Sequence, residues 1–322
     1  MPDTKKKQKF SIKTLWEIIK KASNGFIDDK LMKLSGALSY YMVFSMGPLL
    51  LIIITMCSIF FGRDAVEGKV YAQLQAFVGK DTAIQLQQII QHAMISGKNT
   101  LATIVGVALL IIGASSVFSE MQDSINMIWG LKPKPSSGLK AFIKNRLLSF
   151  SIIASLGFLL LVSLSLSALV ELFGTHLKNH FPGTSVVLIY FINLVFTLGI
   201  TTFVFAVIFK VLPDADINWK DVWVGAIATT LLFLLGKFLI SFYISKINIG
   251  STYGTAGSLI VLLLWVYYSA MIVYFGAEFT KYYAVLLGDP IKPASYAVAV
   301  EQVEQEKGKM SVQENEENKT VR

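Results

Sequence analysis

Six stretches of the chain, residues 37–61, 101–119, 147–173, 184–212, 222–244 and 255–287, are each long and apolar enough to cross a bilayer. A hydrocarbon core of about 30 Å asks for roughly 20 apolar residues per helix, and within it every backbone amide must be bonded inside the chain. Together these conditions predict an all-α integral membrane protein, a bundle of six transmembrane helices. Composition points the same way, since 54% of the residues are hydrophobic and only 16% are charged, too apolar a balance for an ordinary soluble domain. The first run starts too late and extends too far for a cleaved signal peptide, so the N-terminus is expected to stay on the chain.

Lysine and arginine placement sets the expected orientation, because short basic loops are retained in the cytoplasm. Of the 29 basic residues, 22 fall on one side of the six-span scheme and six on the other, with Lys237 left inside a span. The richer side holds residues 1–36, the loop after the second span and the C-terminal segment. Both termini are therefore expected in the cytoplasm.

Outside the spans the organisation is simple. Residues 1–36 form a basic segment in which Ile12, Leu15, Trp16, Ile19 and Ala22 recur at helical spacing, opposite Lys13, Lys20 and Lys21. Such a helix can lie on an anionic leaflet or pack on the bundle's cytoplasmic end. The loop 62–100 carries two further amphipathic stripes. Residues 37–287 form the membrane domain, and residues 288–322, with acidic patches and little apolar content, are expected to be disordered. The single cysteine, Cys57, excludes an intrachain disulfide and reads as a small packing residue.

Charged and helix-breaking residues inside the spans carry the functional signal, since a mid-membrane charge costs about 2.5–3.5 kcal/mol on insertion scales. Lys237 falls seven residues from the outer end of its span, about 11 Å at the helical rise, which a lysine stem bridges only in part. The reading is a cavity lined by Lys237, with Asn193 at a similar level, Glu171 shallower but on a flexible side chain, and Tyr40 and Ser45 from the first span. Snorkelling and a merely structural lysine are the alternatives. Gly47 and Pro48 mark an expected kink in that first span. Glu278, near the cytoplasmic mouth, is expected to meet Lys210, Lys281 or the basic loop 132–146, as a gate or a clasp.

The stretches ALSYYMVFSMGPLLLI, VLPDADINWKDVWVGAI, GKFLISFYI and STYGTAGSLIVLLLWVYYSAMIVYFGAEFTKYY, in this order and spacing, resemble the YihY/BrkB family of bacterial inner-membrane proteins from about residue 30 to 285. The matching positions are Pro48, Pro213, Gly225, Lys237, Tyr243, Tyr253, Gly254, Gly257, Trp265, Tyr267, Gly276, Ala277 and Glu278. The resemblance implies six helices, cytoplasmic termini and a place in a bacterial inner membrane. Some family members have been labelled ribonuclease BN, others are named for resistance to serum killing, and some relatives are linked to envelope lipids.

A metal-dependent nuclease needs clustered His and carboxylate ligands. The three histidines, His92, His176 and His180, all fall on the predicted outer side, and no metal site, catalytic residue or cofactor is expected. No loop carries a Walker A motif, so transport by this chain would not use ATP. The expected function is movement of a lipid or other anionic amphiphile in envelope biogenesis, with a non-transporting membrane scaffold as the alternative and a ribonuclease as the less favoured one. Expected partners are membrane lipids, among them an anionic lipid as substrate, and a second copy or an envelope protein. Nucleic acid is not among them.

Overall fold

A computed structural model describes residues 11–45, 116–134, 184–246 and 256–300, with isolated helical positions at 68, 71, 84 and 87. In chain order the elements are α1 (Ile12–Asp28), α2 (31–45), α3 (116–128), β1 (Leu131–Pro133), α4 (Thr184–Val211), β2 (Ala215–Asp216), α5 (Trp219–Lys246), α6 (Ala256–Leu286), β3 (Lys292–Pro293) and β4 (Ala297–Ala299). Within α4, α5 and α6, the stretches Leu194–Val211, Trp219–Ile240 and Leu259–Leu286 are long and apolar enough to cross a membrane. The remaining residues expected in the first three spans, 46–61, 101–115 and 147–173, lie outside the described residues, as do Gly47 and Pro48.

Helix α5 packs between α4 and α6, and α1 packs on α6. Lipid provides no hydrophobic drive for helices to associate, so close approach at small residues has to supply the contact. Between α5 and α6 that approach is reciprocal. Gly225 lies against the Thr280 side chain, and Gly276 lies against the Thr229 side chain. Each threonine returns its hydroxyl hydrogen to its own helix, Thr229 to Gly225 O and Thr280 to Gly276 O, both at 2.7 Å. The polar groups are thereby satisfied without a gap between the helices. Farther along the seam, Gly236 admits Tyr268 and Ile272 of α6. On the other side of α5, Thr202 of α4 donates to Thr230 at 3.1 Å.

Helix α1 begins at Ser11, whose side chain accepts the amide of Lys13, an N-cap that satisfies one orphan donor. It runs past residue 22 because Gly25 and Phe26 extend its packing face. That face holds Thr14, Ile18, Ala22 and Gly25, which are buried, with Ile18 and Ala22 joining Phe279 in one apolar cluster. Ile12 and Trp16, which belong to the stripe read from the sequence, are instead exposed. The helix is thus both docked on the bundle and apolar on a second arc. Lys30, with a φ of 55°, turns the chain into α2.

At one end of the bundle α1 and α3 meet the ends of α4 and α6 and the start of α5, forming a base. Helix α3 extends to residue 128, beyond the apolar run that ended at 119, since Val117, Phe118, Met121, Ile125 and Ile128 stay buried at helical spacing. It ends at Gly130, with a φ of 66°, a conformation that favours glycine. The all-α reading is amended by two antiparallel ladders there. In one, Leu131, Lys132 and Pro133 face Ala299, Val298 and Ala297; in the other, Ala215 and Asp216 face Pro293 and Lys292.

These ladders correct the expectation of a tail without fixed structure from residue 288. Through residue 300 the chain is held by backbone pairing and by the buried Ala297, despite its low apolar content. Residues 301–322 lie outside the described residues.

Candidate functional site at the helical base

Two buried polar centres occupy the base. The first is built on Asp214, in the turn between α4 and α5 directly after the buried Pro213. Its side chain is only 1% exposed. Gln122 donates to Oδ1 at 3.0 Å, Asn126 donates to Oδ2 at 2.9 Å, and the Asp214 amide donates back to Asn126 at 2.8 Å. Gln122 and Asn126 stand one turn apart on α3, so both reach a single carboxylate. Tyr296, between β3 and β4, also hydrogen-bonds Asp214; burial, then the charge of Asp214 and this bond, push its phenol up to about 12. Ala294 donates its amide to Asp214 O at 3.0 Å. One aspartate thus joins α3, the α4–α5 turn and the C-terminal segment.

The second centre is built on Glu278 of α6, which is fully buried. Of the donors expected for it, Lys281 is present, with Nζ 3.2 Å from Oε2. Lys210 instead pairs with Asp216 at 3.3 Å and donates to Ile217 O. Lys281 also reaches Asp29 at 3.5 Å, donates to Ile128 O at 2.6 Å and sits 5.1 Å from the Tyr282 ring centroid. Gly25 of α1 backs directly onto the Glu278 carboxyl, where a Cβ would stand 2.7 Å from Cδ. Trp129 fixes α3 to the same turn by donating to Ala277 O at 3.0 Å. Between the centres lies a cavity of about 410 Å³, lined among others by Asp29, Asp123, Asn126, Trp129, Lys132 and Lys281.

The residues singled out from sequence fall in several places. Lys237 is partly buried on α5. It lies on the same helical face as Ala226, Thr230 and Phe233, and not on the exposed face of Leu231, Leu235, Phe238, Leu239 and Phe242. Asn193 lies on α4, but its side chain is outside the described residues, as is Glu171. Tyr40 and Ser45 do not share a face. Tyr40 is exposed and clusters with Tyr41 and Phe44, while Ser45 is buried.

Among the family positions, Gly225 and Gly276 form the α5–α6 seam, Ala277 accepts from Trp129, and Trp265 is buried. Tyr267 is half-buried, Tyr243 is exposed and Gly257 lies in the first turn of α6. Tyr253 and Gly254 are outside the described residues. Sequence reasoning missed Asp214, Gln122, Asn126, Asp29 and Gly25. A signal for three of them existed: apolar periodicity continues past residue 119 with Gln122 and Asn126 inside it, and Asp214 follows Pro213 between two helices.

No three His, Cys, Asp or Glu side chains gather as metal ligands among the described residues. The three histidines lie outside those residues.

Comparison with known proteins adds identity to this geometry. The chain is 25% identical over 257 residues to a UPF0761 membrane protein of Saccharophagus degradans, covering 80% of this chain and 57% of that one. It is 27% identical over 284 residues to a UPF0761 membrane protein of Aeromonas salmonicida, covering 85% and 90%. It is 25% identical over 250 residues to YfkH of Bacillus subtilis, named as a ribonuclease-like protein, covering 76% and 86%. The chain thus spans little more than half the length of the first of these relatives. No solved structure matches. The family described as virulence factor BrkB matches residues 22–294, a range that takes in α4, α5, α6 and most of the base, and the chain belongs to that family of membrane proteins.

Proposed function

We propose that the protein moves an anionic amphiphile, a lipid or a lipid-like molecule, across or along the bacterial inner membrane without using ATP, with both termini and the base on the cytoplasmic side. The observation that carries this reading is the face on which Lys237 stands. Positions 226, 230, 233 and 237 recur at helical spacing on the sheltered side of α5. An ammonium there lies about 13 Å of helix from Lys246 at the end of α5. A cation on the sheltered side of an apolar helix suits a phosphate or carboxylate headgroup whose acyl chains stay in lipid.

The test is reconstitution in vesicles, following labelled anionic lipid against a zwitterionic control. Wild type is expected to accelerate the anionic probe. Lys237→Met keeps much of the stem and should abolish the acceleration at normal membrane abundance, while Lys237→Arg should retain part of it. Equal rates for wild type and Lys237→Met, both folded, would overturn the proposal.

The base favours a second reading, a non-transporting scaffold. Asp214 ties together three segments distant in sequence, which is what a rigid platform for other envelope proteins requires. A scaffold would tolerate Lys237→Met and fail on disruption of the base. The ribonuclease-like name of one relative is not carried over, since this reading rests on no catalytic group in the chain.

A further inference from the structure

The cavity in the base has walls that the chain fixes from several sides. Trp129 donates to Ala277 O at 3.0 Å and Lys281 donates to Ile128 O at 2.6 Å, which holds the end of α3 against α6. Val300 donates its amide to Gly130 O at 2.8 Å, and Lys134 donates its amide to Tyr296 O at 2.9 Å and its Nζ to Ser295 O at 2.7 Å. These bonds extend the β1–β4 ladder around the rim. At Gly130 a Cβ would stand 2.9 Å from Val300 O, so the rim closes there around a glycine. The volume of about 410 Å³ falls in the range of small-molecule sites, about 300–1,000 Å³. A pocket formed before its ligand arrives also avoids the cost of ordering one.

The chemistry of the walls is mixed. Asp29, Asp123, Lys132 and Lys281 all line the cavity. Lys281 is committed, lying 3.2 Å from Glu278 and 3.5 Å from Asp29. Asp123 and Lys132 are not: among the described residues neither has an ion pair or a hydrogen-bonded side-chain partner. Burial, then the like charge of Asp214, push the Asp123 carboxyl above its ordinary pKa, so an arriving cation would be welcome there. Asn126, 3% exposed, gives one amide hydrogen to Asp214 and keeps the other. Met127, Trp129, Pro133 and Val300 supply apolar lining between these groups.

Two uncommitted charges of opposite sign in one pocket select by charge pattern. A simple anion would be drawn to Lys132 and repelled by Asp29 and Asp123; a simple cation would meet the reverse. A molecule that carries both signs satisfies both. We propose that the basal cavity binds a small zwitterion, in which a primary ammonium is joined to one singly charged phosphodiester or carboxylate, with the ammonium at Asp123 and the anion at Lys132. The carbon skeleton between them lies against Trp129 and Pro133. Soluble metabolites and the headgroup of an aminophospholipid both present this chemistry. Lys237 does not line the cavity, so the inference does not rest on the transport reading.

The experiment is calorimetric titration of the full-length protein in phosphatidylglycerol nanodiscs. The probes are glycerophosphoethanolamine and 4-aminobutyrate, each set against the counterpart without an ammonium, glycerophosphoglycerol and butyrate. Wild type should bind at least one zwitterion saturably, and at least about tenfold more tightly than its counterpart. Asp123→Asn should erase that preference, and Lys132→Ala should weaken the zwitterion by about tenfold. Unchanged melting temperatures check that both variants keep the base intact; should either not fold, the wild-type preference alone decides. Saturable binding of neither zwitterion overturns the proposal, as does equal affinity for zwitterion and counterpart, or wild-type affinity and preference in both variants. Phosphatidylethanolamine added to the nanodiscs separates the two sources: competition with the probe assigns the cavity to a lipid headgroup, and undiminished binding assigns it to a soluble ligand.

Discussion

Gly276→Ala is the sharpest test of the α5–α6 seam. A Cβ at residue 276 would overlap the Thr229 hydroxyl, and would stand 2.8 Å from Cγ2 and 3.0 Å from Cβ of the same threonine. Thr229 cannot simply rotate away, because its hydroxyl is bonded to Gly225 O at 2.7 Å, and Gly225 is itself pressed against Thr280. Overpacking of this kind costs about 1–3 kcal/mol. Alanine returns up to about 1 kcal/mol in helix propensity over glycine. With three atoms of one pinned side chain at or inside 3.0 Å, the overlap belongs in the upper part of that range, and the net expected loss is about 1–2 kcal/mol, a roughly five- to thirtyfold fall in the folded-to-unfolded ratio. Reversible unfolding in mixed detergent micelles, followed by circular dichroism, measures it. Thr229→Ala in the same background leaves only the 3.0 Å Cβ contact, so it should recover a substantial part of the loss, with a coupling of at least about 0.5 kcal/mol. If Gly276→Ala matches wild type, or if the two changes add without coupling, the helices are not in the contact described.

Other outcomes follow from the base and the orientation. Asp214→Ala leaves the Gln122 and Asn126 amides buried without their acceptor and should cost about 1–3 kcal/mol per amide, read as a fall in melting temperature and as faster proteolysis after residue 287. Tyr296 gives an alkaline signature: its phenol is raised from 10.0 to about 12 in the fold, so its contribution is complete below pH 10, is lost as pH rises through about 12, and should be missing from the stability profile of Tyr296→Phe. Gly25→Ala places a methyl on the Glu278 carboxyl and should release α1, seen as protease cleavage within residues 11–30 while α4 to α6 stay protected. Reporter fusions after Arg63 should signal the external side and those after Lys134 or Arg322 the cytoplasm; a cytoplasmic signal from residues 62–100 would overturn the six-span scheme.

The three described membrane helices, α4, α5 and α6, were legible because a bilayer imposes a length and an apolar content that few other structures satisfy. The α5–α6 seam was half legible: Gly225 and Gly276 stood out as family positions, but no periodicity says which threonine a glycine will meet on an antiparallel neighbour. Lys237 was found by depth, and its face could be read only once Ala226, Thr230 and Phe233 were known to be sheltered. The base was mostly illegible. Asp214, Gln122 and Asn126 are ordinary polar residues at the end of apolar runs, and their pairing comes from two segments about 90 positions apart in sequence. Residues 288–300 looked unstructured because backbone pairing leaves little trace in composition. Asp29 was hidden for a similar reason: a charged residue after an amphipathic helix normally points to water.

The attachment of the C-terminal segment carries a consequence for synthesis. Asp214 O waits for the amide of Ala294, and Asp221 waits for that of Asp289. At about 5–20 residues per second, a ribosome needs roughly 4–16 s to add the 80 residues from position 214 to position 294. During that interval α5 must already be entering the membrane while the Asp214 carbonyl and the Asp221 carboxylate beside it remain without their final partners. The base is therefore the last part of the bundle that can close, and a nascent chain stalled before residue 288 would leave these two acceptors open, a state that quality-control proteases could distinguish from the finished protein.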